Sequence, residues 1–456
     1  MASKKTITTE NLEKLGATRL AQLLIEVTKG SPALKRIVKL ALSESDPAET
    51  VKLVRKRLKD IGRSRSYVEG ANRKALMSEL ETLRQVIQEK LTPISPSNAF
   101  ELMWAFIGLA PSIYERCDDS SGYIGDIFAE GREDLSQIAS LSSLEPEYLA
   151  DKIYAALNDN GYGQYDGLIG LLSESLGETG LERLKTLFTD QAKASPGRTV
   201  SNWKRSTARY ALQDIADALG DADSYAAQYD ESVKTRPRIA ARIAARFLTA
   251  GRSVDALAAL DIADIEGNVH HLGDWETVRV NTFEALGRTD DAQTARWSAF
   301  ERNLNLDMLQ AHLKRLPDFE DIEFEDRAIA YAHAYENVHA ALRFLVLWPR
   351  LDSAAHLIEA RYDEIDGNYY ELLTPATDVL ENRHPLAATL LCRAMIKFTL
   401  ERARAKRYRY AAGHLVTCER LASQIADFGQ FQEHADYISA LRENHNRKTS
   451  FWPLIP

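Results

Sequence analysis

Cysteine is scarce in this chain of 456 residues. Cys117, Cys392 and Cys418 are odd in number and far apart, which excludes a disulfide framework and predicts reduced thiols in a cytoplasmic protein. No Cys-x-x-Cys, His-Glu-x-x-His or calcium-loop pattern occurs. The adjacent His270 and His271 would point to different faces of a helix, and His333 and His339, six residues apart, cannot share one. A GxxxxGK[ST] phosphate loop and a Gly-x-Ser-x-Gly elbow are missing too. These absences predict neither metal nor cofactor. The densest apolar run, FLVLW (344–348), is too short to span a bilayer, and MASKKTITTENLEKLG has no signal-peptide core. No membrane partner is expected.

Glycine (23) and proline (14) are few, while Ala, Leu, Glu and Arg abound, a balance that favours helix over sheet. The formal net charge of −9 excludes polyanion binding by bulk electrostatics, so any basic surface must be local. Apolar residues keep helical spacing through Leu12, Leu15, Leu20, Leu23, Leu24 and Val27, and again through Leu34, Ile37, Val38 and Ala41. Gly30-Ser31-Pro32 reads as a C-cap, an N-cap and a first-turn proline, and Asp46-Pro47 opens the next helix in the same way. TPISPS (92–97) is a connector, after which Ala99, Leu102, Phe106, Ala110 and Ile113 mark another amphipathic helix. Strand alternation is almost absent; VRVNTF (278–283) reads equally well as helix.

QAKASPGRTVSN (191–202) lacks periodicity and is the best candidate boundary. Beyond it the chain repeats. ARFLTAGRSVDALAAL has Gly251-Arg252 followed by Asp255-Ala256, and thirty-six residues later NTFEALGRTDDAQTAR has Gly287-Arg288 followed by Asp291-Ala292. Looser versions surround Pro349 and Pro385, again thirty-six apart. Paired helices joined by such turns resemble tetratricopeptide-type repeats. The expected organisation is an N-terminal helical region (1–92), a helical region with two polar loops (98–190) and tetratricopeptide-like repeats (203–456).

The first polar loop lies in SIYERCDDSSGYIGDIF (112–128). Cys117 would need a nearby base to act as a nucleophile, and no histidine is close in sequence. Asp118-Asp119 could hold a hard cation. The plainer reading is a helix–helix connection in which Asp119, Ser120 or Ser121 caps the helix carrying Ile124, Ile127, Phe128, Leu135 and Ile138. The second loop, GYGQYDG (161–167), imitates a dinucleotide fingerprint but follows a helix (Leu149, Ile153, Leu157) where that fingerprint requires a strand. Asn160-Gly161 reads instead as a helix C-cap. If Ile127 and Ile138 share one helix, both loops reach the same edge. Arg116, Asp118, Asp119, Asp159, Asn160, Gln164, Tyr165 and Asp166 could then form one polar pocket.

Two basic stretches stand out. In ETVKLVRKRLKDIGRSR (49–65), Val51, Val54, Leu58 and Ile61 fall on one arc, and Lys52, Arg55, Lys56, Lys59 and Arg63 on another. Residues 35–75 hold twelve Lys/Arg against five Asp/Glu, a local excess suited to phosphates or to an acidic partner. In ERARAKRYRYAAGHL (401–415), arginine and tyrosine could stack on bases, while Tyr408 and Ala411-Ala412 read as helix-pair packing. DFEDIEFED (318–326) packs six carboxylates into nine residues, reading as the acidic lead-in to a helix beginning near Arg327.

ERCDDSSG, LNDNGYGQYDGLIG and YISALRENHNRKTSFWPLI are similar to stretches of an uncharacterised, mainly bacterial family of helical proteins, and the resemblance covers most of the chain. It implies a helical architecture and carries no activity. The part from RYAAGHL to HNRKTSFW resembles the helical tail of SWIM-type zinc-finger proteins, whose Cys-x-Cys…Cys-x-His module is absent from this sequence. The expectation is an all-α, tetratricopeptide-like solenoid with an N-terminal helical region. Its expected role is non-enzymatic: a scaffold or adaptor for a protein or peptide partner. The alternatives are nucleic-acid association through the basic helix, and a metal-binding or enzymatic site at the two polar loops.

Overall fold

The computed structural model describes residues 7–30, 35, 38, 39, 42, 46–193, 200–266 and 272–455. The break expected at Ser31-Pro32 and the His270-His271 pair lie outside them. The fold is all-helical. Among the described residues the one extended pairing is an isolated parallel bridge, in which Val68 N–H donates to the Arg116 carbonyl at 2.8 Å. No helix among them is long and apolar enough to cross a membrane. The chain divides into two compact units, Met1–Val233 with Thr249–Gly251, and Lys234–Leu248 with Arg252–Pro456.

Unit 1 is built on α1 (Pro47–Arg63), α2 (Gly70–Gln85), α3 (Pro96–Ile107), α4 (Tyr123–Leu141), α5 (Pro146–Leu157), α6 (Ser173–Lys193) and α7 (Val200–Leu219). α1 starts as its sequence requires: Asp46 Oδ1 accepts from Ala48 N and Glu49 N at 3.1 and 3.2 Å, with Pro47 at the first helical position. Its apolar arc, Val51, Val54, Leu58 and Ile61, is buried. α3 packs on α4 through Phe106 and Phe128, ring centroids 5.3 Å apart. Gly131 makes that crossing tight, since a Cβ there would stand 3.2 Å from Phe106. The half-buried Arg84 of α2 pairs with Asp134 at 2.5 Å and Glu81 at 2.8 Å, although burial still pushes the Asp134 carboxyl above its usual range. α6 and α7, which flank the expected boundary at 191–202, belong to this same unit.

Unit 2 comprises α8 (Pro237–Thr249, except for its last residue), α9 (Ser253–Asp261), α10 (Gly273–Ala285), α11 (Thr289–Asn303), α12 (Glu320–Ala334), α13 (Val338–Leu347), α14 (Leu351–Ala360), α15 (Tyr370–Leu380), α16 (Pro385–Glu401) and α17 (Tyr408–Ala422). VRVNTF falls inside α10. One turn recurs between helices. Gly251 (φ 73°) and Gly287 (φ 70°) adopt the left-handed conformation that ends α8 and α10. The next amide then closes back, Arg252 N to Phe247 O at 2.8 Å and Arg288 N to Phe283 O at 2.9 Å. Each arginine lies over that same phenylalanine, at 4.7 and 4.9 Å, and donates Nε–H to the aspartate three residues on, at 2.6 and 2.7 Å. The following Ala256 and Ala292 are buried. A third copy joins α13 to α14: Arg350 N reaches Leu345 O at 2.9 Å and Ala354 is buried. There Pro349 replaces the glycine, and the Arg350 side chain turns to Glu325 of α12.

The acidic stretch 318–326 departs from expectation. α12 begins at Glu320, seven residues before Arg327, so Glu320, Asp321 and Glu323 sit in its first turn rather than ahead of it. Phe319 precedes it with φ 76°, a left-handed conformation that costs a non-glycine residue about 1 kcal/mol. Leu304 shares that conformation (φ 54°) but buries its side chain, whereas Phe319 is 82 % exposed.

Candidate binding groove

The two polar loops of unit 1 do reach the same end. α4 runs unbroken through Ile127 and Ile138 and α5 returns, bringing the Tyr114 and Tyr162 rings to 5.6 Å and the Arg132 guanidinium to the Gln164 carbonyl at 3.4 Å. Their polar side chains are spent locally. Asp119 caps α4, accepting from Ile124 N and Gly125 N at 2.9 and 2.8 Å. Asp118 accepts from Ser120 N at 3.0 Å, and Arg73 stands 3.7 Å away. Arg116 is buried and donates to the Ile61 and Ser66 carbonyls at 3.3 and 3.4 Å, where α1 ends. Burial pushes the Cys117 thiol up, opposite to what a nucleophile needs.

In the second loop, α5 ends at Leu157, before the C-cap expected at Asn160-Gly161. Asn160 instead staples the loop, accepting from Tyr165 N at 2.8 Å and donating to Asp166 at 2.6 Å. Gln164 is buried on the Asp159 carbonyl at 2.8 Å, while the Asp159 side chain is exposed. Tyr165 is buried and stacked on Trp104 at 5.7 Å, and burial raises its hydroxyl above the usual range. Asn160 and Asp166 also line a cavity of about 370 Å³ with Trp203, Ser206, Thr207 and Tyr210 of α7, residues that sequence spacing did not single out. Among the described residues, no group of three or more His, Cys, Asp or Glu side chains could hold a metal.

On α1, Lys52, Arg55, Lys56, Lys59 and Arg63 are all exposed on the face opposite its buried arc. Lys52 stands 3.5 Å from Glu49; among the described residues the other four pair with no carboxylate.

Unit 2 holds the larger opening, about 820 Å³, between the N-terminal half of α15 and the length of α13. Asn337 starts α13 by accepting from His339 N and Ala340 N at 3.0 and 3.1 Å. The turn before α15 is pinned from beneath. A Cβ at Gly367 would collide with the Ala394 carbonyl, so only glycine lets this turn sit on α16. Asp366 N–H donates to His339 Nε2 at 3.0 Å, which assigns the ring proton to Nδ1. The His339 ring stacks on Tyr369 at 4.1 Å, and its burial holds its pKa below the usual range despite Asp366.

Arg407 reaches in from the basic–aromatic run, 4.5 Å over the Tyr370 ring and donating to Asn368 Oδ1 at 3.1 Å. Arg343 joins it from α13. Neither forms an ion pair among the described residues, in contrast to Arg252, Arg288, Arg302 and Arg350 of the same unit. Tyr369 and Tyr370 are about half exposed, and Val346, Leu347, Leu372 and Pro375 supply an apolar floor. This assembly can hold an anionic group by charge-assisted hydrogen bonds beside apolar contact. Tyr408, Ala411 and Ala412 are buried packing, as the spacing predicted, but Arg343, His339, Tyr369 and Tyr370 were not legible.

Cys392 and Cys418 meet where α16 packs on α17. Hydrogen bonding from Cys418 and from His414 (3.9 Å) holds the Cys392 thiol below its usual range and pushes Cys418 up. Both side chains are fully buried in that helix contact. No curated protein matches the chain. A family model described as a family of unknown function, DUF6880, matches residues 2–454, nearly the whole length, and the chain belongs to that family.

Proposed function

We propose that the chain is a non-enzymatic helical-repeat protein of tetratricopeptide-like organisation that engages a protein partner, in the manner of a scaffold or adaptor, through the groove between α13 and α15. The observation that carries this reading is the pair Arg343 and Arg407, without carboxylate partners among the described residues, beside half-exposed Tyr369 and Tyr370 over an apolar floor. Arginine and tyrosine are the residues in which interface energy concentrates. The recurring Gly-Arg turns support a repeat organisation, because each sets a helix pair with the same backbone closure and the same buried alanine. The test is affinity capture by the full chain and by an Arg343→Ala/Arg407→Ala variant, with and without nuclease. A nuclease-resistant protein captured by the parent chain and lost from the variant is the expected result. Equal capture by both would sink the reading.

A second reading rests on α1, whose four cations without carboxylate partners among the described residues share one exposed face that suits a phosphate backbone. Nucleic-acid binding through that face would weaken steeply with salt, with a slope of about −4 for four phosphate contacts on a duplex. A flat salt response, or binding unchanged in Arg55→Ala/Lys59→Ala, would exclude it.

A further inference from the structure

The acidic stretch 318–326 presents what the groove lacks, and we propose that the two recognise each other between copies of the chain: the start of α12 in one copy docks in the Arg343–Arg407 groove of another. This rests on the groove being a protein-binding surface. Phe319 (82 % exposed) and Ile322 (57 % exposed) lie about one helical turn apart, surrounded by the exposed carboxylates of Asp318, Glu320, Asp321 and Glu323. Unlike Leu304, Phe319 holds its left-handed backbone with no burial to offset it. An aromatic held outward at such a conformation gains only when a partner covers it.

The groove is complementary on both counts. Arg343 and Arg407 have guanidinium N–H groups facing a space lined by a single carboxylate, Glu371. Tyr369, Tyr370, Leu347 and Pro375 supply the apolar contact that Phe319 and Ile322 need. That floor, and the presence of Glu371, favour an acidic protein surface over a phosphodiester chain, which would call for more cations and no carboxylate. The acidic knob opens α12, and the groove begins just past its other end, at Asn337. Phe319 and Ile322 stand exposed and line no part of the groove of their own chain, so the contact is made between copies, head-to-tail, the knob of one in the groove of the next.

Sedimentation of the full chain across concentration, at low and high salt, tests this. Assembly that grows with concentration and recedes as salt rises is expected. Phe319→Ser/Ile322→Ser and Arg343→Glu/Arg407→Glu should each weaken it by about thirtyfold or more. Because a head-to-tail pair needs only one knob and one groove, an equimolar mixture of the two variants should recover a one-to-one dimer. Phe319, Ile322 and Arg343 are exposed and Arg407 is half-buried at the groove's edge, and circular dichroism checks that both variants fold. A chain that stays monomeric at low salt, assembly indifferent to either variant, or a mixture that stays monomeric overturns the proposal. A monomeric chain whose capture of another protein still depends on Arg343 and Arg407 overturns self-recognition alone and leaves the groove's reading intact.

Discussion

Arg116 in unit 1 and Arg407 in unit 2 are both arginines tucked beside a loop, and the fold uses them differently. Arg116 is buried, and its terminal nitrogens end on the carbonyls of Ile61 and Ser66. Arg407 gives one N–H to Asn368, lies across Tyr370, and keeps the rest of its fork toward an open groove. The same contrast separates Asp119, consumed by two amides of α4, from Arg343, which pairs with no carboxylate among the described residues. Polar residues crowded into a loop show only that the loop has backbone groups to satisfy. A binding site requires donors and apolar surface left over once the fold is satisfied.

Substitutions should separate the two regions, with stability responding in one and binding in the other. The largest stability effect is expected at Tyr165, buried on Trp104 within the second polar loop. Tyr165→Ala should cost about 3 kcal/mol, read as a fall in the denaturation midpoint, with partner capture by the native protein unchanged. Gly367→Ala comes next. Its methyl group would push the turn off α16, costing about 2 kcal/mol and also loosening Asp366, Tyr369 and the groove they line. This one variant should lose both stability and capture, and retention of capture would show that the turn does not shape the groove. Asp119→Ala removes a cap that serves two amides and should cost about 1 kcal/mol, again with no effect on capture. Loss of capture in Asp119→Ala would restore the polar loops as a site.

The helical class, the start of α1 at Asp46-Pro47, a cap for α4 among Asp119, Ser120 and Ser121, and the Gly-Arg turns were legible because each is a local matter of backbone geometry. Gly251 and Gly287 can be read from sequence: a left-handed residue ending an apolar-periodic segment leaves a mark within ten residues. The polar loops left a connection and a site both open, since composition reveals that polar atoms are present but not whether neighbours have used them. The groove escaped because its parts lie far apart. Arg343 comes from the middle of α13, Tyr369 and Tyr370 from the start of α15, and Arg407 from the turn before α17, and no spacing rule joins them. The beginning of α12 was misplaced because Phe319 enters it through a conformation that aromatic residues seldom adopt.

The smallest effect, and the sharpest on groove geometry, belongs to His339. Its Nε2 accepts the Asp366 amide, so the folded chain prefers the neutral ring, and burial holds its pKa below the unfolded value of about 6.5 despite the nearby carboxylate. A base with a depressed folded pKa contributes stability above the unfolded pKa, and loses it as pH falls from there through the folded value. His339→Gln offers an amide oxygen to Asp366 N–H at every pH. The stability of the parent relative to this variant should therefore be greatest near pH 8 and should shrink steadily below about pH 6.5, as measured by denaturant midpoints at matched salt. A difference that does not change with pH would mean that His339 is not held as an acceptor.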